Sequence, residues 1–246
     1  MIEAGSETTS SALNSCILYL SAHPEVRARA HEELSRVIGS GRSPSFQDEE
    51  SLPYIRAIVK ETLRIRPVTN MGTPHYTTAD ITYKNIFIPK ESIVCIQQYA
   101  IHYDPSVFPD PETFNPSRYL NHPLKAGAYA AHPDPRERDH FSFGAGRRIC
   151  SGLHLAENSM FITVAKILWA FDVLPPLDGN GREMPVDLSD NAYEPGSNTI
   201  PKPFAVRFVP RNKEVETVVR KEWDQAERDG FVLRDQRVNA QGMVVN

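Results

Sequence analysis

Seven of the 35 residues from Asp104 to Arg138 are proline: Pro105, Pro109, Pro111, Pro116, Pro123, Pro133 and Pro135. Each fixes φ and removes a backbone donor, so regular structure is interrupted again and again across this stretch. A segment of that length is also too long for a routine connection, which predicts a packed, functional meander. Regular elements are expected before and after it.

Before the meander the pattern is helical. Leu13, Cys16, Ile17 and Leu20 recur at helical spacing, predicting a helix over roughly the first 22 residues. His23-Pro24 interrupts it, and Pro24 suits the first position of a second helix with Glu25 in its first turn. Val26, Ala30, Leu34 and Val37 continue that face to Ile38, and Gly39 stands where a C-terminal cap belongs. After the polar stretch 40–51, Pro53 opens a third helix bearing Ile55, Ile58, Val59 and Thr62 on one side, closed by Pro67. Ile81 to Ile88 and Ile93 to Gln97 are β-rich runs, expected to pair as a hairpin about Pro89-Lys90-Glu91-Ser92.

After the meander a long helix is predicted from about Ser151 to Phe171, with Ala156, Met160, Val164, Ile167 and Phe171 on its buried stripe. Pro203 to Val209 reads as a last strand. From Arg211 to Asp229, 11 of 19 residues are ionisable, which predicts a solvated helix in a charged tail, 211–246. The net charge of −4 offers no electrostatic case for nucleic acid. Three widely spaced cysteines, Cys16, Cys95 and Cys150, provide no disulfide framework and suit a reducing compartment. Neither a signal peptide nor an apolar run of ~18 residues is visible.

Chemistry concentrates in Phe143-Gly144-Ala145-Gly146-Arg147-Arg148-Ile149-Cys150-Ser151-Gly152. A phosphate loop is a poor match, because the third glycine of a dinucleotide turn and any Gly-Lys-Ser/Thr are missing. Zinc is also poor: Cys150 has no second ligand at zinc spacing, and His31-Glu32-Glu33 lacks a second histidine. A lone thiolate fits better. The glycines let the backbone approach a flat ligand, Arg148 can meet a carboxylate, and Phe143 supplies an apolar wall. Cys150 stands at the start of a helix, where free N–H groups and the positive dipole end stabilise a thiolate. These features describe an axial cysteine for haem iron, the alternative being a small buried hydrophobe.

Phe143, Gly146, Arg148, Cys150 and Gly152 match the F-x-x-G-x-R-x-C-x-G haem-binding signature of the cytochrome P450 family, which this chain resembles. Three further matches follow the family's chain order. Ala4-Gly5-Ser6-Glu7-Thr8-Thr9 resembles the oxygen-activating stretch of its central helix. Glu61-Thr62-Leu63-Arg64 resembles its E-x-x-R motif, and Phe114-Asn115-Pro116-Ser117-Arg118-Tyr119 its meander segment. The wording around these motifs is similar to filamentous-fungal members of secondary metabolism.

The resemblance implies a mainly α fold with small β-sheets, the C-terminal half of the family fold, over residues 1–210, followed by the tail. It implies haem b with Cys150 as the axial ligand, and Phe143, Gly146, Arg148, Gly152 and His75 around the cofactor. Glu7 and Thr8 would be the acid–alcohol pair that delivers protons. Glu61, Arg64 and Arg118 would form a structural cluster. Val68, Thr69, Met71, Thr199 and Ile200 would line the substrate cavity. The implied reaction inserts one atom of dioxygen into a small apolar organic substrate, with electrons from an NADPH-dependent reductase docking on the Cys150 face near Arg147. A full-length relative would lie on the cytosolic face of the endoplasmic reticulum through an upstream anchor. Met1 would then be an internal methionine, and the chain about half a domain. Two alternatives stay open: a haem enzyme using peroxide or catalysing isomerisation, and a haem-free, inactive family fragment.

Overall fold

The computed structural model describes residues 2–130, 132–233, 236–238 and 243–244. Met1, on which the expectation of an internal start rests, lies outside the described residues, as does part of the 211–246 tail.

Four helices hold the core. α1 (Ile2–Ala22) and α2 (Pro24–Val37) are separated by His23 alone, and α3 (Pro53–Ile65) follows after a stretch that contains the 3₁₀ turn Phe46–Ser51. Pro24 and Pro53 open their helices, where a missing N–H costs nothing. Gly39, at φ 71°, ends α2, with its N–H and that of Ile38 both returning to the Leu34 carbonyl. The start of α3 is capped from outside: the Glu33 carboxylate of α2 accepts the N–H groups of Tyr54 and Ile55 at 2.9–3.1 Å. That satisfies orphan donors which no residue of α3 itself could reach. From Tyr54 to Ile65 every residue of α3 except Arg56 is buried, so α3 is the central helix rather than a one-sided one.

Two small sheets follow, and they correct the expected hairpin. β1 (His75–Tyr76) pairs antiparallel with β4 (Ile93–Val94), while β2 (Ile81–Tyr83) pairs with β3 (Ile86–Ile88). The run 81–88 is thus a hairpin in itself and does not pair with 93–97. Its turn is Lys84-Asn85, both at positive φ (46° and 66°), the geometry of a two-residue hairpin turn. α4 (Gln98–His102) comes next.

The proline-rich stretch forms no long element. It contains a 3₁₀ turn, Pro116–Tyr119, and one short helix, α5 (Ala126–Ala130). It is packed, as expected: Phe108, Phe114 and Tyr119 are buried.

α6 (Leu153–Ala170) lies against α1, α2 and α3, burying Met160, Phe161, Val164, Leu168 and Trp169. It stops one residue short of Phe171, which instead begins β5 (Phe171–Leu174). β5 pairs antiparallel with β6 (Arg207–Pro210), so residues 203–206 precede the strand expected there. Nor is that strand the last: β7 (Phe231–Leu233) and β8 (Gln236–Val238) pair farther on. Between β6 and β7, α7 (Lys213–Asp229) starts on an Asn212 cap, whose side chain accepts the Val215 N–H at 2.8 Å. α7 is not solvated all round, because Val215 is buried in the main core. Among the described residues no helix is long and apolar enough to cross a membrane.

Candidate active site

The Phe143–Cys150 loop leaves the core at Ser142, whose hydroxyl donates to the Leu63 carbonyl of α3. It is closed by backbone bonds: Gly144 N–H to Phe141 O (2.8 Å), Ile149 N–H to Gly146 O (3.1 Å) and Cys150 N–H to Phe143 O (2.9 Å). Gly144 and Gly146 sit at φ 75° and 68°, conformations closed to most other residues, and a Cβ on either would meet open space. Phe143 is half-buried against the core, with its ring 5.5 Å from that of His140. Cys150 is exposed just before α6, and a Cβ on Gly152 would lie 3.9 Å from its sulfur.

Arg147 and Arg148 are exposed beside it and, among the described residues, neither guanidinium has a hydrogen-bond or ion-pair partner. An accessible thiol, an unneutralised guanidinium two residues away and an open glycine-lined face form a donor set that fits a flat, carboxylate-bearing metal macrocycle. The residues present therefore fit haem. His75 lies on β1 opposite Val94, exposed and likewise without a side-chain partner among the described residues.

A second group of residues meets at the start of α1. Segments 68–70 and 197–199 run side by side, joined at Thr69–Asn198, with Thr199 N–H bonded to Val68 O (2.7 Å) and Asn70 N–H to Ser197 O (3.3 Å). Asn198 Nδ2 in turn donates to Glu7 Oε2 at 3.3 Å. The fold thus brings Glu7, Val68, Thr69 and Thr199 together from three distant parts of the chain. Glu7 is exposed and Thr8 half-buried. Thr199 is buried, its hydroxyl donating to Asn70 Oδ1, and Ile200 beside it is half-buried. Met71 is exposed.

The third group is the most completely built. Arg64 Nε and Nη2 donate to Glu61 Oε2 and Oε1 at 2.8 and 2.9 Å, and Arg118 Nε joins Oε1 at 3.2 Å. Asn115 N–H donates to the same carboxylate at 2.8 Å. Arg64 also donates to the carbonyls of His102 and Thr113, and Arg118 to those of Pro109, Asp110 and Thr113. Burial opposes the Arg64 charge, but the hydrogen bonds and charge of Glu61 outweigh it and push its pKa up. One carboxylate from α3 thereby ties down the middle of the meander.

Several residues that hold these groups carry no local sequence signal: Asn70, Gln98, His102 and Asn198. They are polar residues on short or irregular segments, and only their partners distinguish them. Lys60 and Asp139 form a further buried ion pair, 3.1 Å apart, between α3 and the end of the meander.

A family model described as Cytochrome P450 matches residues 1–191. The chain is 47% identical over 243 residues to cytochrome P450 monooxygenase pgmC of Aspergillus terreus, covering 99% of this chain and 46% of that protein. It is 44% identical over 231 residues to cytochrome P450 monooxygenase verL of Clonostachys rogersoniana, covering 94% and 42% respectively. A zebrafish cytochrome P450 structure determined with abiraterone matches with a TM-score of 0.70 at 32% identity, over 85% of this chain and 45% of that one. The chain spans under half the length of each of these relatives.

Proposed function

The chain belongs to the cytochrome P450 family, and on that premise we propose that it carries the thiolate, proton-delivery and substrate-facing parts of a haem monooxygenase. The proposed reaction inserts one atom of dioxygen into a small apolar organic substrate, with electrons from an NADPH-dependent reductase. One observation carries the reading. Cys150 offers an exposed thiol just before α6, on a loop whose glycines adopt positive φ and whose Arg148 has no acidic partner among the described residues.

Cys150 Sγ would hold the iron of haem b as a thiolate. Arg148, and His75 from β1, would bind its carboxylates, and Phe143, Gly146 and Gly152 would shape the face it lies on. Bound haem supplies the oxygen chemistry itself. The Glu7 carboxylate, steered by Asn198, takes protons from solvent, and the Thr8 hydroxyl passes them inward. Val68, Thr69, Thr199 and Ile200 face the substrate, with Met71 at its entrance. Glu61, Arg64 and Arg118 carry no chemistry and hold the meander under the cofactor loop. Arg147 serves the reductase. Residues 1–210 form the family portion and 211–246 a charged C-terminal tail. For a full-length relative we place the enzyme on the cytosolic face of the endoplasmic reticulum.

Haem-replete protein, reduced under carbon monoxide, is expected to show the red-shifted Soret band of thiolate ligation. Cys150→Ala is expected to abolish it. A wild-type protein without the band, or a variant that keeps it, would overturn the reading.

A second reading rests on a separate observation. Tyr76, Tyr83, Ile86, Phe87 and Ile93 are all more than half exposed on the β1–β4 region, an apolar surface that favours association. The 246-residue chain would on this reading be a haem-free fragment. Haem stoichiometry of the purified chain decides: one haem per chain rejects the fragment.

A further inference from the structure

Gln98 and His102 stand one turn apart on α4, both buried, and both reach the same residue. Gln98 Nε2 donates to the Phe141 carbonyl at 2.7 Å, and His102 Nε2 accepts the Phe141 N–H at 2.8 Å. The donor and the acceptor of one main-chain residue are therefore both held by side chains, where a neighbouring strand would ordinarily hold them. Because Nε2 accepts, the neutral ring carries its proton on Nδ1.

The clamping helix is itself fastened on the opposite side. The His102 carbonyl accepts from Arg64 Nη1 at 2.9 Å, and Tyr103 Oη donates to Ile65 O at 3.0 Å. Gln98 Oε1 accepts from Thr69 Oγ1 at 2.8 Å. A continuous set of contacts thus leads from the Glu61–Arg64 pair and from Thr69, through α4, to Phe141. From there the path to the thiol is short. The Phe141 carbonyl also accepts the Gly144 N–H, and the Phe143 carbonyl accepts that of Cys150.

We propose that Gln98 and His102 are positioning residues, a two-point clamp on Phe141 that fixes the Phe143–Cys150 loop and so the direction of Cys150 Sγ. The consequence for haem rests on the function proposed above, whereas the clamp itself is a property of this chain's backbone.

Amide hydrogen exchange on the 246-residue chain tests the clamp without cofactor. His102→Leu and Gln98→Leu each remove one point, while His102→Gln keeps an acceptor close to the position of Nε2. Loss of one buried hydrogen bond is expected to speed exchange in segment 141–150 by about tenfold in the two leucine variants, and by no more than about twofold in His102→Gln. Exchange in α2 and α6 is expected to stay unchanged. In haem-loaded protein the fraction of red-shifted carbon monoxide band should fall in the leucine variants and recover in His102→Gln. Unchanged loop exchange in both leucine variants, or loosening spread equally over α2 and α6, overturns the clamp. A loosened loop with an unchanged band overturns its role in aiming the thiol. If wild type binds no haem while the leucine variants loosen only the loop, the haem-thiolate reading fails and the clamp stands.

Discussion

Arg64 grips both oxygens of Glu61 from three residues away on the same helix, and neither side chain has any solvent exposure. At this spacing a pair on a helix surface contributes only ~0.2–0.5 kcal/mol. Buried, the same pair makes each partner indispensable, because removing one strands a charge in a low-dielectric interior. Arg64→Met is expected to cost about 3–5 kcal/mol of unfolding free energy, measured by urea denaturation. Arg118→Met should cost clearly less, since Arg118 is 12% exposed at its side chain and Glu61 keeps Arg64. Equal losses for the two variants would contradict this account.

Lys60 fastens the other end of the meander. Its ammonium lies 3.1 Å from Asp139 Oδ2 and donates to the carbonyls of His122 and Leu124 at 3.2 and 2.7 Å. Burial pushes the Lys60 pKa down, with Asp139 opposing. The unfolded chain therefore holds this proton to higher pH than the folded one, so stability should rise as pH climbs from the lowered value toward 10.5. Lys60→Met should lose that rise and leave Asp139 unpaired, at a cost of about 3 kcal/mol near neutral pH. Denaturation midpoints at neutral and alkaline pH check both.

Acid should act through His102. Burial, aided by His140 and Arg64, lowers its pKa to about 3 from 6.5, and burial pushes His140 down as well. Between those values the unfolded chain binds the extra proton, so stability is full above about pH 6.5 and is lost progressively on acidification. From pH 7 to pH 5 His102 alone should account for a loss of about 2 kcal/mol. His102→Gln should flatten the profile by that amount in paired urea titrations, and a profile parallel to wild type would refute the assignment.

Thr8→Ala tests the proton path. On the proposed function it should leave the carbon monoxide band intact while lowering dioxygen-driven turnover by about two orders of magnitude. Turnover with peroxide should survive. Dioxygen-driven turnover equal to wild type would remove Thr8 from the path.

What could be read from residue order was whatever a residue does to its own neighbourhood. Pro24, Pro53 and Gly39 mark helix ends because each constrains its own backbone, and the helices begin and end there. The order of residues 143–152 was legible for the same reason: glycines at positive φ, then a thiol at a helix start. Even local reading failed where the signal was weak. Lys84-Asn85 lacks the glycine that usually announces a two-residue turn, so two strands looked like one.

Residue spacing by itself did not decide which distant partner a polar side chain meets; the tertiary structure did. Glu61-x-x-Arg64 has the same spacing on a surface as in a core, and only the packing of the meander over α3 decides between them. The clamp on Phe141 joins residues 39 and 43 apart in the chain, and Glu7 meets Asn198 across 191. A polar side chain's role depends on which donor or acceptor burial leaves within its reach, and no run of neighbouring residues records that.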